Sequence, residues 1–196
     1  NKAALWQGLR RALGRAAASR LTPETWVLPH EREAFLRNKR DGYHIAKHPT
    51  LDQRRGLRLC EGTDAALEAA EEGLTVIQRM LPDLLLLGGH RFHVRVYVLL
   101  VWQEGALRAW RHARGRCIWA PEPLESGPRS PAALITRGDA MLPGRPLHIS
   151  GLKPLLQTYP PIFPLIDDLL QQVLSVIRPR IHQQATLPNP VSYTHL

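Results

Sequence analysis

Arg91, His93 and Arg95 recur at every second position at the head of the stretch Arg91–Trp102, RFHVRVYVLLVW. A strand there has a side-chain period of two, so the three residues share one face, which suits a line of side chains into a cleft. Lys47 ends a second alternating stretch, Tyr43–Lys47 (YHIAK), and puts a cation at a strand end. Each pattern has a plainer alternative, a half-exposed strand with a solvated polar face. The two cysteines, Cys60 and Cys117, lie far apart with no CxxC and no histidine cluster beside them. That argues against a structural zinc site and for ordinary thiols in a reducing compartment.

The 196 residues carry a formal net charge of +9. This balance favours an acidic partner: nucleic acid, anionic lipid or an acidic polypeptide. Arginine is spread along the chain rather than gathered in one block, so charge alone decides little. The sequence has no known nucleic-acid motif and no aromatic–basic stripe, which disfavours nucleic acid. It also has no run of about 18 uncharged apolar residues to span a membrane. With 44% apolar and 22% charged residues, the composition is that of a globular protein, long enough for one sizeable core or two small lobes. The chain does not begin with Met and is expected to be a piece of a longer protein.

The elements that must position these residues follow from periodicity and punctuation. Lys2–Ser19 is expected to be a helix with Leu5, Leu9, Leu13 and Ala17 as its apolar stripe. Leu21–Pro29 (LTPETWVLP) cannot stay helical around its prolines and reads as extended. His30–Lys39 is a short polar helix, Leu51–Gly56 a charged loop and Leu57–Cys60 a strand. Thr63–Glu72 is a helix with Thr63 as N-cap, and Leu74–Arg79, rich in β-branched residues, is a strand. A loop covers Leu81–Gly89. Arg91–Trp102 is the clearest strand, alternating in its first half and apolar on both faces in its second, as in a covered sheet. Leu107–Trp110 and Cys117–Trp119 are further strands, and Ala120–Pro146 is a long surface loop. Leu165–His182 is a helix striped by Leu165, Leu169, Val173, Val176 and Ile177, with Asp167 and Asp168 on a solvated face. No repeat period appears. The class is α/β or α+β with a mainly antiparallel sheet.

Leu74–Leu99 (LTVIQRMLPDLLLLGGHRFHVRVYVL) closely resembles the segment of tubulin–tyrosine ligase-like proteins that reads V-V-Q-x-Y-I-x-x-P-L-L-I-x-G-x-K-F-D-L-R-x-Y-V-L. Shorter stretches resemble the same family in the same order. Asn1–Leu5 (NKAAL) is similar to R-K-x-x-L, Thr22–Pro29 (TPETWVLP) to P-x-T-Y-x-L-P, Ile45–Pro49 (IAKHP) to W-I-x-K-P, and Leu147–Gly151 (LHISG) to the H-L-T-N segment. The resemblance implies an ATP-grasp fold: a mixed, largely antiparallel sheet with flanking helices, binding ATP between two lobes. It implies Lys47 as the lysine on the α- and β-phosphates, with Lys2 as a further nucleotide contact. Leu51–Leu57 takes the place of the glycine-rich phosphate loop, of which only Gly56 remains, beside Arg54 and Arg55. Gln78, Arg79, Met80 and Leu81 match the hinge that faces adenine. Arg91, His93 and Arg95 stand where the family has lysine, aspartate and arginine, so His93 removes a fixed negative charge. Arg116, with Arg114 as its rival, matches an arginine on the γ-phosphate. His148 and Ser150 fill the H-L-T-N positions, with Gly151 where asparagine is usual. Arg95 and Arg116 are thereby the implied catalytic residues.

The family's magnesium ligands lie in a strand reading roughly D-x-x-x-K-x-x-L-L-E-x-N, and no such run occurs here. The expectation is one partial, truncated ATP-grasp domain over residues 1–187, with a non-native or disordered tail over 188–196. The resemblance implies ATP and Mg as cofactors and a ligase that adds glutamate, glycine or tyrosine to an acidic protein tail such as that of tubulin. It is expected to act as a monomer in cytoplasm, cytoskeleton or cilium, away from membranes, and this piece alone is expected to be inactive. The alternative is a pseudoenzyme that binds acidic polypeptides without turnover.

Overall fold

The computed structural model describes residues 2–38, 42–51, 56–104, 106–124, 130–138, 142–152, 154 and 162–185, excepting the side chains of 180–185. Arg54, Arg55 and the tail from 188 onward lie outside the described residues. The chain divides into two compact units, Asn1–Pro82 with Gln171–Ile177 and Asp83–Leu170 with Arg178–Leu196.

The first unit contains α1 (Lys2–Leu21), β1 (Thr25–Val27), α2 (Arg32–Arg37), β2 (Tyr43–Lys47), β3 (Leu57–Glu61), α3 (Gly62–Glu71) and β4 (Val76–Arg79). The expected stripe of α1 is buried in its first half: Leu9 goes inside with Ala3 and Trp6, and Leu5 packs against them, whereas Leu13 is exposed. Gly14, at φ 76°, interrupts the helix and re-phases the residues beyond it, so that Ala18 rather than Ala17 is buried. Thr63 does not cap α3. It is buried within the first turn, and Glu61 stands at the cap without a side-chain bond.

The four strands form one antiparallel sheet in the order β1–β4–β2–β3. Trp26, Ile77, Ala46 and Cys60 project from one face and pack with Phe35 of α2 and Ala66 and Ala69 of α3. On the other face Val27 and Val76 pack with Trp6 and Leu9 of α1, and Val176 joins that cluster. Buried Glu31 fastens α1 to the sheet. It accepts hydrogen bonds from Arg10 (2.5 Å), from Arg15 and from the Val27 N–H (2.9 Å).

The second unit contains β5 (Leu86–Leu87), β6 (His90–Arg95), β7 (Val98–Gln103), β8 (Ala106–Arg111), β9 (Arg116–Pro123), α4 (Pro131–Leu134), a 3-10 turn at Ile149–Leu152 and most of α5 (Ile162–Ala185). The expected single strand over Arg91–Trp102 is two. β6 pairs with β5 and β9, whereas among the described residues β7 pairs only with β8, as a separate hairpin. No glycine or proline marks the break, because partner choice imposes it. The second half is not covered on both faces, since Leu99 is exposed. The Leu81–Gly89 loop holds β5, and the Ala120–Pro146 loop is interrupted by the end of β9 and by α4. Ser130 caps α4 by accepting the Ala133 N–H at 3.1 Å, and Ala133 and Leu134 are buried.

The core of this unit gathers Leu87, Cys117, Trp119, Ile149 and Leu152, with Phe92, Val94 and Phe163 against it. Leu165 and Leu169 are exposed. The two portions of α5 belong to different units, so no continuous stripe is needed to bury it. Asp167 is not merely solvated, since Arg111 grips it through Nε–Oδ1 (2.5 Å) and Nη2–Oδ2 (3.1 Å). Every strand pairing among the described residues is antiparallel. Antiparallel sheets with flanking helices agree with the expected ATP-grasp-like architecture.

Candidate functional site

In the first unit, register places the polar residues. Thr25 faces Gln78 on β4, and Gln78 faces Ile45 on β2. Directly opposed residues share a face, so Thr25, Gln78 and Ile45 lie on the face opposite Trp26 and Ile77, with Lys47 two residues beyond Ile45. There Lys47 Nζ donates to Gln78 Oε1 at 2.5 Å, and Gln78 Nε2 donates to Thr25 Oγ1 at 3.1 Å. α1 packs on the Val27–Val76 end of this face. Ile45, Leu57 and Leu59 stay half-buried beside the polar pair, an apolar shelf with a fixed cation at its rim.

The surrounding residues shape that rim. Lys2 Nζ donates to the carbonyls of Leu51 (2.5 Å) and His48 (3.4 Å), tying α1 to the segment after β2. Gly56 sits at φ +65°, where an added Cβ would come within 2.7 Å of His48 Cβ, so only glycine permits the His48 N–H to reach the Gly56 carbonyl at 2.7 Å. The Arg79 N–H is held by the Glu24 carbonyl and the Met80 N–H by the Tyr43 carbonyl. Both donors of the expected base-reading hinge are thus used by the sheet. Met80 is buried and Leu81 exposed. The Arg79 side chain lies on the other face with its partner His44, whose pKa is lowered by burial and further by the Arg79 charge, against a backbone bond with Gly62 that raises it.

In the second unit β9 carries Arg116 directly opposite Arg95 of β6, and on its other side Arg116 bridges to His148. Arg95, Arg116 and His148 therefore form a row across three segments. Like charges directly opposed in a sheet repel. Among the described residues neither guanidinium meets a carboxylate; Arg116 donates only to the Gly138 carbonyl, at 3.3 Å. This is a place that an anion would stabilise. Gly115 makes it possible: a Cβ there would lie 2.7 Å from the Arg95 carbonyl and 2.8 Å from Ile149 Cδ1.

His93 shares that face through its pairing with Ile118. Its Nδ1 is 2.6 Å from Thr136 Oγ1. Crowding by the surrounding protein, then the charges of Arg95 and Arg91, push its pKa down to about 4. The residue remains exposed, and water offsets part of the crowding, but both cations act in the same direction and His93 is neutral at physiological pH. Arg91 bonds the Leu134 carbonyl, and burial lowers its pKa. A bulge between His90 and Phe92 takes Arg91 out of strict alternation with His93 and Arg95. Ser150 is exposed on the 3-10 turn beyond His148. The partners Thr25 and Thr136 escaped the sequence reading. Thr25 carried a faint signal as a polar residue in a β-prone stretch, whereas Thr136, 43 residues from His93, carried none. Burial pushes the Cys117 thiol to about 11 and raises that of Cys60, so neither is a nucleophile.

Residues 1–132 match a model of the tubulin-tyrosine ligase family, about two-thirds of the chain. The chain belongs to the tubulin-tyrosine ligase family. No match is found among curated proteins. Members of this family are ligases. The matched span contains the Lys47–Gln78 pair and the Arg95–Arg116 pair; His148 and Ser150 lie beyond it. Among the described residues no group of three or more His, Cys, Asp or Glu side chains could hold a metal, and no step is assigned to one.

Proposed function

We propose that this chain carries the nucleotide face and an anion-holding row of an ATP-dependent ligase that joins glutamate, glycine or tyrosine to an acidic protein tail such as that of tubulin. One observation carries the reading. Lys47 and Gln78, 31 residues apart, meet at 2.5 Å on a partly uncovered sheet face beside an apolar shelf. ATP supplies the phosphoryl group that converts a carboxylate to an acyl-phosphate, which an amine then attacks. Ile45, Leu57 and Leu59 accept the flat apolar face of a base. Lys47 meets negative charge, held in place by Gln78 and Thr25, so little reorganisation is needed when the ligand arrives. Arg95 and Arg116, whose mutual repulsion an anion relieves, hold a phosphate or carboxylate oxygen. Neutral His93 adds no charge to them. The proposed setting is cytoplasm, cytoskeleton or cilium.

The test is equilibrium binding of a fluorescent ATP analogue to the parent and to Lys47→Ala. Removing the ammonium should weaken binding by about tenfold or more. Equal affinity in the two proteins would defeat the assignment. A second reading, a non-catalytic binder of acidic polypeptides, is favoured by His93, a neutral imidazole where the resembled segment has aspartate. Absence of any affinity for ATP, with acidic-peptide binding retained, would select it.

A further inference from the structure

We infer that the β7–β8 hairpin is a docking surface for an acidic polypeptide segment, with Arg108 taking a carboxylate and Leu99 and Trp110 taking a neighbouring apolar side chain. Leu99 faces Trp110 and Val101 faces Arg108 in the hairpin register, so all four share one face. Leu99 is 62% exposed and Trp110 47%, an unusual outlay of apolar surface on a two-stranded ribbon. The opposite face shows what this hairpin binds when a carboxylate is within reach. There Arg111 holds Asp167 through two bonds, at 2.5 and 3.1 Å, the fork geometry in which guanidinium reads carboxylate. Arg108 is the counterpart on the open face, and among the described residues no carboxylate meets it.

Charge complementarity names the occupant. Between Ala106 and Gly115 the sequence has no acidic residue, while Arg108, Arg111, His112 and Arg114 fall within it. The hairpin is a sheet of its own, so an extended segment has a strand edge to pair with while its side chains meet the open face. An exposed Leu–Trp pair is too small an apolar area to anchor a lipid surface, and Trp110 alone offers no succession of stacking platforms for nucleic acid. The surface uses none of the residues assigned to nucleotide, and its occupancy requires no ATP.

The experiment measures anisotropy of a labelled oligoglutamate peptide carrying one phenylalanine, titrated with the intact chain at low salt without nucleotide. Arg108→Glu should weaken binding about tenfold and Trp110→Ala about fivefold, while both keep the parent's affinity for the ATP analogue and its circular dichroism. Arg108→Gln should fall between Arg108→Glu and the parent. No binding by the parent, or parental affinity in both Arg108→Glu and Trp110→Ala, would overturn the inference. So would phosphatidylserine-rich vesicles or single-stranded DNA that bind through Arg108 when the peptide does not. Peptide binding without nucleotide binding sinks the proposed ligase alone; the reverse result sinks the docking surface alone.

Discussion

Single side chains here owe their properties to neighbours distant in sequence. Glu31 accepts from Arg10, Arg15 and the Val27 N–H while itself buried. Glu31→Ala deletes those bonds and leaves a buried N–H unpaired. Both arginines can turn toward water, so the expected loss is about 2 kcal/mol, read as a lower urea midpoint with unchanged slope; a change under about 0.5 kcal/mol would show the knot to be ornamental. Arg95 and Arg116, directly opposed, carry an opposite expectation. Arg116→Gln relieves the repulsion, so stability should hold or rise slightly, whereas the proposed affinity for inorganic phosphate should fall about tenfold. A variant less stable than the parent would mean that the pair is structural. Arg95 was legible, with His93, because a strand alternates, whereas the bulge that takes Arg91 out of that line was not. The Arg95–Arg116–His148 row was not, since register across three segments is invisible in one line of sequence.

Among the elements, the glycine between β8 and β9 controls how close β6 and the 3-10 turn can come. Gly115→Ala would push a methyl to 2.7 Å from the Arg95 carbonyl and 2.8 Å from Ile149 Cδ1. We expect destabilisation of about 1–3 kcal/mol by overpacking together with weaker anion binding, checked by thermal melts and by phosphate-dependent shifts in them. A fully parental melt would show that the turn yields freely. Most elements of the first unit follow their sequence signals: YHIAK is β2 residue for residue, and Val76–Arg79 lies inside the β-branched run. The split of Arg91–Trp102 did not announce itself. β-branched and aromatic residues favour a strand on both sides of Val96, and only the competing pairings with β9 and β8 decide where one ladder stops.

Across the molecule, two histidines make stability depend on pH. His44 is lowered from 6.5 by burial and then by Arg79, and His93 is pushed to about 4 by crowding and by Arg95 and Arg91. Both folded values lie below the unfolded one, so the unfolded chain binds protons first as pH falls. The stabilisation from neutral imidazoles is complete above pH 6.5 and is lost progressively down to about pH 4. Melting temperature should be flat at neutral pH and drop through that window, and His93→Asn should make the drop shallower. An equally steep drop in that variant would assign the effect to other groups. The charge of +9 acts at the same scale: peptide binding should weaken steeply as salt rises from low to physiological, because exposed charges more than a Debye length of about 8 Å apart are then screened.

The sequence alone determined the family, the class of fold and most strand and helix positions, because each of these is written in local periodicity and in short ordered segments. It also singled out Lys47, Gln78 and Arg95. Only the tertiary structure decided that Lys47 binds Gln78, that Arg95 faces Arg116, that a threonine in a loop answers His93, and that β7–β8 stands as a hairpin with Arg108 and Trp110 outward. The physical reason is the same each time. Such contacts are set by which strands pair and in what register, and that choice minimises the free energy of the whole unit rather than of any one segment.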